Sequence, residues 1–482
     1  MAATRSQGQK PTNDAMRVSG KNANLKIAGI SWAQPSLLFW AVFGLALALR
    51  LGLYLASAPW SHDWPQRMIS ADSFEYFILG KSILERGAFS YTWPEAMPNA
   101  LRLPLYPFFV AITSLGGEKE FLWLTSLVQL LLDSCFAALL FHIVHSLFSR
   151  PPLALGVALL YALSPDAVFW STQILAESMS VWLMVLAVYG VAAAAQPRPG
   201  FARLLIGGLA GGLVPLVKSA WQFFALGMTL YLFFQVCRTS DNKKRVLLAT
   251  MALLLIAPPA IWITRNWMQW GVPRLSVGGP LQKAWTAKLL MQWSRHSDSA
   301  QVPVYTPEMA LHMGFVVDFK EPDWIPRRFK EVRGWDRHGL IRELGASDGL
   351  FLRALKEHPD VFAKASLVGL GGALFSPQNR SLKNFLGLPV TEDPHWRDWG
   401  SGRQLSSAED WVRFAKTRFA SPVTLGWSLW AMIYWGLFYL GTVRGLPAYG
   451  KTSLASPWTI YLLTVTPVFF LNIVTGKHDG VS

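Results

Sequence analysis

VLLATMALLLIAPPAIWI, residues 246–263, runs for eighteen residues without a charge and follows directly on Arg245. At about 1.5 Å per helical residue, such a run crosses most of a hydrocarbon core of about 30 Å. It therefore reads as a membrane span. Outward from it the pattern repeats. Residues 35–56, PSLLFWAVFGLALALRLGLYLA, carry a single charge, Arg50. The same test marks about nine spans, near residues 36–57, 121–148, 153–170, 174–195, 204–217, 220–236, 246–263, 421–443 and 457–475. Two shorter apolar stretches, 103–116 with its prolines and 361–375 with Lys364, either span or lie in the interface. The expected fold is thus an all-α membrane protein, a polytopic helical bundle of about 9–11 spans.

Composition agrees. The 482 residues are 52% hydrophobic and only 15% charged, against about 25% charged for a soluble domain. Twenty-three tryptophans suit aromatic belts at the membrane surfaces. The first span lies behind a polar tail and lacks a small-residue cleavage site, so it reads as an anchor.

Charge gives the orientation. The tail, residues 1–34, carries Arg5, Lys10, Arg17, Lys21 and Lys26 against Asp14, and the connector 238–245 carries Arg238, Lys243, Lys244 and Arg245 against Asp241. Both belong in the cytoplasm by the positive-inside rule, as do Arg198 and Arg203. The acid-rich loop 58–102 then lies outside, and with nine spans so does the polar stretch 264–420. The chain divides accordingly into a cytoplasmic basic tail (1–34), a transmembrane core with its external loop (35–263), an external loop region (264–420) and C-terminal spans (421–482). The net charge of +15 faces anionic membrane lipids and calls for no nucleic acid. Cys135 and Cys237 give no disulfide framework and read as packing residues. His142 and His145, three apart on an apolar helix, read as core or interface residues before metal ligands.

No Walker loop, Rossmann fingerprint, HExxH, CxxC or Asp-x-Asp motif occurs. The chemistry therefore has to be sought in polar residues at the membrane surface. In the first external loop, ISADSFEYFILGKSILERGAFS (69–90) predicts an amphipathic helix capped by Ser70 or Asp72, marked by Phe74, Phe77, Ile78 and Leu84, and ended at Gly87. Asp72 stands at its start, where the helix dipole favours the anion, with Tyr76 one turn on. As an anion it can accept a proton; equally, it can serve only as an N-cap. Arg102, just before Pro104-Leu-Tyr106-Pro107, sits at head-group depth, where a guanidinium can hold a phosphate or simply snorkel. Glu177 begins a span, and an acid entering the bilayer is a functional candidate. Asp166 lies upstream of it, Lys218 ends a span, and Arg265 emerges where another gives way to a Gly-rich loop. A mixture of cations (Arg102, Lys218, Arg265) and acids (Asp72, Asp166, Glu177) on one surface suits a ligand with a phosphate and a sugar.

These stretches resemble the GT-C superfamily of polytopic glycosyltransferases, in particular the bacterial dolichyl-phosphate-mannose–protein mannosyltransferase-like family, which is related to the aminoarabinose transferase of lipid A. Asp72, Tyr76 and Gly87-Ala-Phe89-Ser90 fit the family's first-loop pattern. Arg102, Pro104, Tyr106 and Pro107 fit its membrane-entry pattern, Glu177-Ser178 a later helix start, and Arg265-Asn266-Trp267 with Gly271 the last helix before the large loop. Lys218-Ser219 departs from a frequent Arg-Pro. The chain stops at Ser482, before an Arg-Tyr-x-x-Pro stretch that relatives usually carry, so a shortened C-terminus is expected.

The resemblance implies a glycosyltransferase of the bacterial inner membrane with a periplasmic site. A polyprenyl-phosphate-linked sugar is the donor, and a protein, lipid or glycan is the acceptor. Asp72 is the implied general base. Arg102, Arg265 and Lys218 bind the donor phosphate, and Tyr76, Glu177, Asp166 and Tyr106 meet sugar or acceptor. No cofactor is required by the sequence, and a divalent metal stays an open question. Three rival readings remain at this point: a flippase of lipid-linked sugars, which would need an internal repeat that is not found; a polysaccharide ligase; and an inactive scaffold.

Overall fold

The computed structural model describes residues 35–64, 67, 71–91, 97–98, 102–114, 122–194 and 200–276, with scattered positions between 349 and 434. The basic tail, most of 264–420, and most or all of the spans expected at 421–443 and 457–475 lie outside the described residues, as does most of the shorter stretch 361–375. Ten α-helices cover most of the rest. They are α1 (Pro35–Ala56), α2 (Ala71–Arg86), α3 (Leu105–Thr113), α4 (Leu122–Phe148), α5 (Pro151–Ala162), α6 (Pro165–Thr172), α7 (Glu177–Ala194), α8 (Phe201–Val217), α9 (Gln222–Arg238) and α10 (Asn242–Trp270). A two-residue antiparallel pair, β1 (Ser90–Tyr91) with β2 (Met97–Pro98), follows α2. The protein is an all-α polytopic membrane bundle.

Five described helices are long and apolar enough to cross a membrane: α1, α4, α7, α10, and α9 with the 3-10 turn Ser219–Trp221 before it. The single span expected at 153–170 is instead a broken pair, α5 and α6, bent by 53°. Pro165 causes the break. It opens α6, it has no N–H to continue α5, and its ring excludes the preceding turn. Ser164 caps the new helix, its hydroxyl accepting from the Ala167 amide at 3.3 Å. The marginal stretch at 103–116 resolves as α3, nine residues long and so about 14 Å, too short to span. α8, seventeen residues with Pro215 inside it, is apolar but shorter than the full spans.

Packing follows side-chain size. α7, α8 and α10 form one core with Met184, Val191, Met251 and Leu255. Gly190 of α7 and Gly207 of α8 let two backbones touch: a Cβ on Gly207 would lie 2.4 Å from Gly190 Cα. Without a hydrophobic driving force between helices in lipid, such close contact is what holds them. Gly207→Val should therefore push α8 off α7 and cost about 1–3 kcal/mol. The check is the detergent unfolding midpoint, and an unchanged midpoint would show that the helices do not meet there. Cys135 and Cys237, expected as packing residues, are both exposed. They stand on outward helix faces beside large apolar side chains such as Leu131 and Phe233, where lipid rather than protein would cover them.

A second core lies beneath the loop that follows α1. Tyr54, Trp64, Tyr76, Tyr106, Phe169 and Ile174 meet Phe385 and Trp427 from much later in the chain. Arg67 ties the loop to that later segment, its Nη1 donating to the Phe385 carbonyl at 3.0 Å.

Candidate active site

The helix expected in the first loop is α2. It carries Asp72 in its first turn and Arg86 in its last, each sign matching the local end of the dipole. Gly87 ends it at φ +63°, where a side chain would be strained. α2 then lies close on α3. A Cβ on Gly80 would stand 2.9 Å from the Pro107 carbonyl oxygen, so only glycine permits this approach. The contact brings the Tyr76 ring edge-on to Tyr106, with 4.8 Å between centroids.

Arg102 reaches back over this platform. Its Nη2 meets Asp72 Oδ1 at 2.5 Å, and its Nε meets Glu75 Oε2 at 2.5 Å. The guanidinium lies 5.5 Å from the centre of the Tyr76 ring. Burial opposes the charge on Arg102, but Asp72 and then Glu75 outweigh it and hold the guanidinium well above its ordinary value. Burial pushes the Tyr76 phenol up as well, so that it stays neutral.

Glu177 and Lys218 form a second pair at 2.9 Å, each partly exposed. Glu177 opens α7 and Lys218 caps α8. This pair is not remote from the first. Tyr76 feels the charges of Arg102, Asp72, Glu177 and Glu75, and Tyr106 also feels Glu177. Packing closes the third side. Leu103, next to Arg102, clusters with Leu216, two residues before Lys218, and with Leu275, Trp262 and Ile263. Arg265, one turn beyond Trp262, stacks over its ring at 4.6 Å and over Phe89 at 5.7 Å. It donates from Nη2 to the Phe89 carbonyl at 3.5 Å and from Nη1 to Asn266 at 2.8 Å. α10 runs on to Trp270, so Arg265 sits on the last turns of the helix rather than in the loop.

The three cations picked from the sequence thus share one end of the bundle with Asp72 and Glu177. The other picks fall differently. Tyr106, expected to meet sugar or acceptor, is fully buried, and its hydroxyl donates to Gln129 at 2.7 Å. Tyr76 is 7% exposed. Both rings form the floor of the site, because each packs into the core below it. Asp166 stands at the start of α6, whose length of eight residues, about 12 Å, separates it from the end that leads to Glu177.

Two residues absent from the sequence picks belong here. Glu75 shares Arg102 with Asp72. Gln129, inside α4, accepts from Tyr106 and donates to the carbonyls of Trp170, Ser171 and Gln173. Ser126 adds a bond to the Thr172 carbonyl. The unwound linker before Glu177 is held this way, since free backbone groups at membrane depth are costly. His142 and His145 pack against Phe39 and Phe141. Among the described residues no three His, Cys, Asp or Glu side chains gather as a metal group.

Residues 102–262 match the dolichyl-phosphate-mannose-protein mannosyltransferase family. The resemblance expected from the sequence is found over this stretch, which includes Arg102, Tyr106, Asp166, Glu177 and Lys218. Asp72, Tyr76 and Arg265 lie beyond its ends. No curated protein matches the chain significantly. The family match supports a membrane glycosyltransferase of the GT-C type, mannosyltransferase-like. Family members of that description imply a lipid-linked sugar donor and an acceptor.

Proposed function

We propose that the protein transfers a sugar from a polyprenyl-phosphate donor to an acceptor hydroxyl at the external face of a bacterial inner membrane. The observation that carries this reading is the direct Asp72–Arg102 ion pair, with the Glu177–Lys218 pair beside it. It puts a proton acceptor and an anion-binding guanidinium within one hydrogen bond of each other at the end of the bundle. A glycosyl phosphate needs both within one site, a base for the attacking hydroxyl and a cation for the leaving phosphate. Its anomeric carbon and its phosphate are adjacent, so the attacking hydroxyl and the leaving oxygen must be served together.

The acceptor hydroxyl oxygen attacks the anomeric carbon as the bond from that carbon to the phosphate oxygen breaks. The proton of the hydroxyl passes to Asp72, and the lipid phosphate departs with the electron pair of the broken bond. The transition state carries oxocarbenium character. Arg102, Lys218 and Arg265 stabilise the charge that grows on the phosphate, a task for preorganised donors. Glu177 orients the sugar or acceptor near Tyr76, which feels its charge. The basic connector at 238–245 lies at the other end of α9 and α10, in keeping with a cytoplasmic side opposite the site.

The test is transfer by the purified protein in detergent from a panel of radiolabelled polyprenyl-phosphate sugars, with a membrane extract as acceptor source. Label should move to the extract from one member of the panel. A folded protein that transfers from none would sink this reading.

A further inference from the structure

Arg102 is held by two carboxylates that differ in access. Asp72 is 40% exposed and Glu75 is 8% exposed. Nη2 serves the exposed acid and Nε serves the buried one. The two contacts use different nitrogens of the guanidinium and different carboxylates, so either can break while the other stays. Glu75 lies one turn along α2 from Asp72, on the inner side of the helix. Nothing from solvent or membrane reaches it as readily as it reaches Asp72.

We propose that a lipid phosphate and Asp72 compete for the same nitrogen of Arg102, and that Glu75 is the fixed counter-ion that keeps the arginine in place during the exchange. This rests on the donor reading given above. A phosphate monoanion or dianion is a better bidentate partner for a guanidinium than a single carboxylate oxygen. Its arrival takes Nη2 from Asp72. Glu75 retains Nε, so Arg102 does not swing away and its charge is never left without a partner, which would be costly at 16% exposure. Asp72, released, becomes available to accept a proton. The donor therefore switches on the base, and without donor the base is tied up by its own arginine. Donor then binds before the acceptor is activated.

The exchange has a consequence opposite to that of an ordinary binding residue. Removing the charge of Asp72 should tighten binding of the donor lipid although it removes turnover. The probe is a polyprenyl monophosphate carrying no sugar, titrated by fluorescence into the full-length protein in nanodiscs of neutral phospholipid, with the matching polyprenol as blank. Asp72→Asn should bind about twofold to fivefold more tightly than wild type, the worth of one partly exposed ion pair. Glu85→Gln removes an equal charge from the same helix, where Glu85 pairs with Lys81 at 3.6 Å, and should leave affinity unchanged. In an Arg102→Gln background the gain from Asp72→Asn should disappear.

Equal or weaker binding by Asp72→Asn, with wild type binding normally, would overturn the exchange and leave the donor reading standing. An equal gain from Glu85→Gln, or a gain that survives without Arg102, would also overturn it, since each would assign the effect to bulk charge. No binding by wild type itself would overturn the donor reading and the exchange together.

Discussion

Asp72→Asn should lower sugar transfer by about 10²–10⁴-fold, the usual contribution of a positioned general base. The substitution is nearly isosteric. Its amide oxygen can still accept from Arg102 Nη2, and Glu75 still holds Nε. The fold of α2 and the position of the arginine are therefore kept, and the loss falls on the chemical step. kcat should carry it, with KM for the donor unchanged or lower. Glu75→Gln should behave in the opposite sense. It leaves the base in place and loosens the arginine, so KM should rise along with the fall in kcat. Measuring both variants against donor concentration separates proton acceptor from support. Transfer by Asp72→Asn at the wild-type rate, at equal expression, would remove Asp72 from the chemistry.

Much of this arrangement was readable before the structure. α2 was legible because three signals agree there: an acid at the start, apolar residues on one face, and Gly87 where the chain must turn. Spans with long uncharged runs were equally plain. The broken span was not, although Ser164-Pro165 stands in its middle. Hydropathy is averaged over a window, and a bend of 53° does not change the average. Pairing was the other blind spot. Arg102 lies 30 residues from Asp72 and 27 from Glu75, and no local pattern says which acid it will meet. Glu75 looked like one more polar position on an amphipathic helix. The burial of Tyr106 was not legible, because its partner Gln129 sits on another helix inside an apolar run. Sequence located the polar residues along the chain; tertiary packing decided which of them stay partly exposed at the end of the bundle and which are buried beneath them.

Asp133→Leu should cost about 3–5 kcal/mol, the penalty for stranding one member of a buried ion pair. Asp133 and Arg50 are wholly buried, inside α4 and α1, with Arg50 Nε donating to Asp133 Oδ2 at 2.6 Å. Asp133 Oδ1 also accepts from the Tyr161 hydroxyl and from Trp182 Nε1, each at 2.6 Å. One carboxylate thereby joins α1, α4, α5 and α7. Arg50 adds bonds to the carbonyls of Ala46 and Ala162, the second of these at the very end of α5, beside the break. The two single variants should differ. Arg50→Leu leaves Asp133 two neutral donors, the Tyr161 hydroxyl and Trp182 Nε1. Asp133→Leu leaves a guanidinium that cannot lose its proton, with two backbone carbonyls and the Tyr161 ring beside it but no counter-charge in these contacts, so it should be the more damaging. Arg50→Leu combined with Asp133→Leu removes both charges and should recover much of the loss, short of the bonds to Tyr161 and Trp182. Unfolding midpoints of the four proteins in one detergent decide the matter. The node lies one helical turn below Gln129 on α4, and Gln129 holds the linker that leads to Glu177. Loss of the node should therefore reach the site by way of α4, lowering activity in proportion to the fraction unfolded and to any shift of that linker. If Asp133→Leu melts with wild type, the pair carries no weight in the bundle, and the site must be held by its own contacts alone.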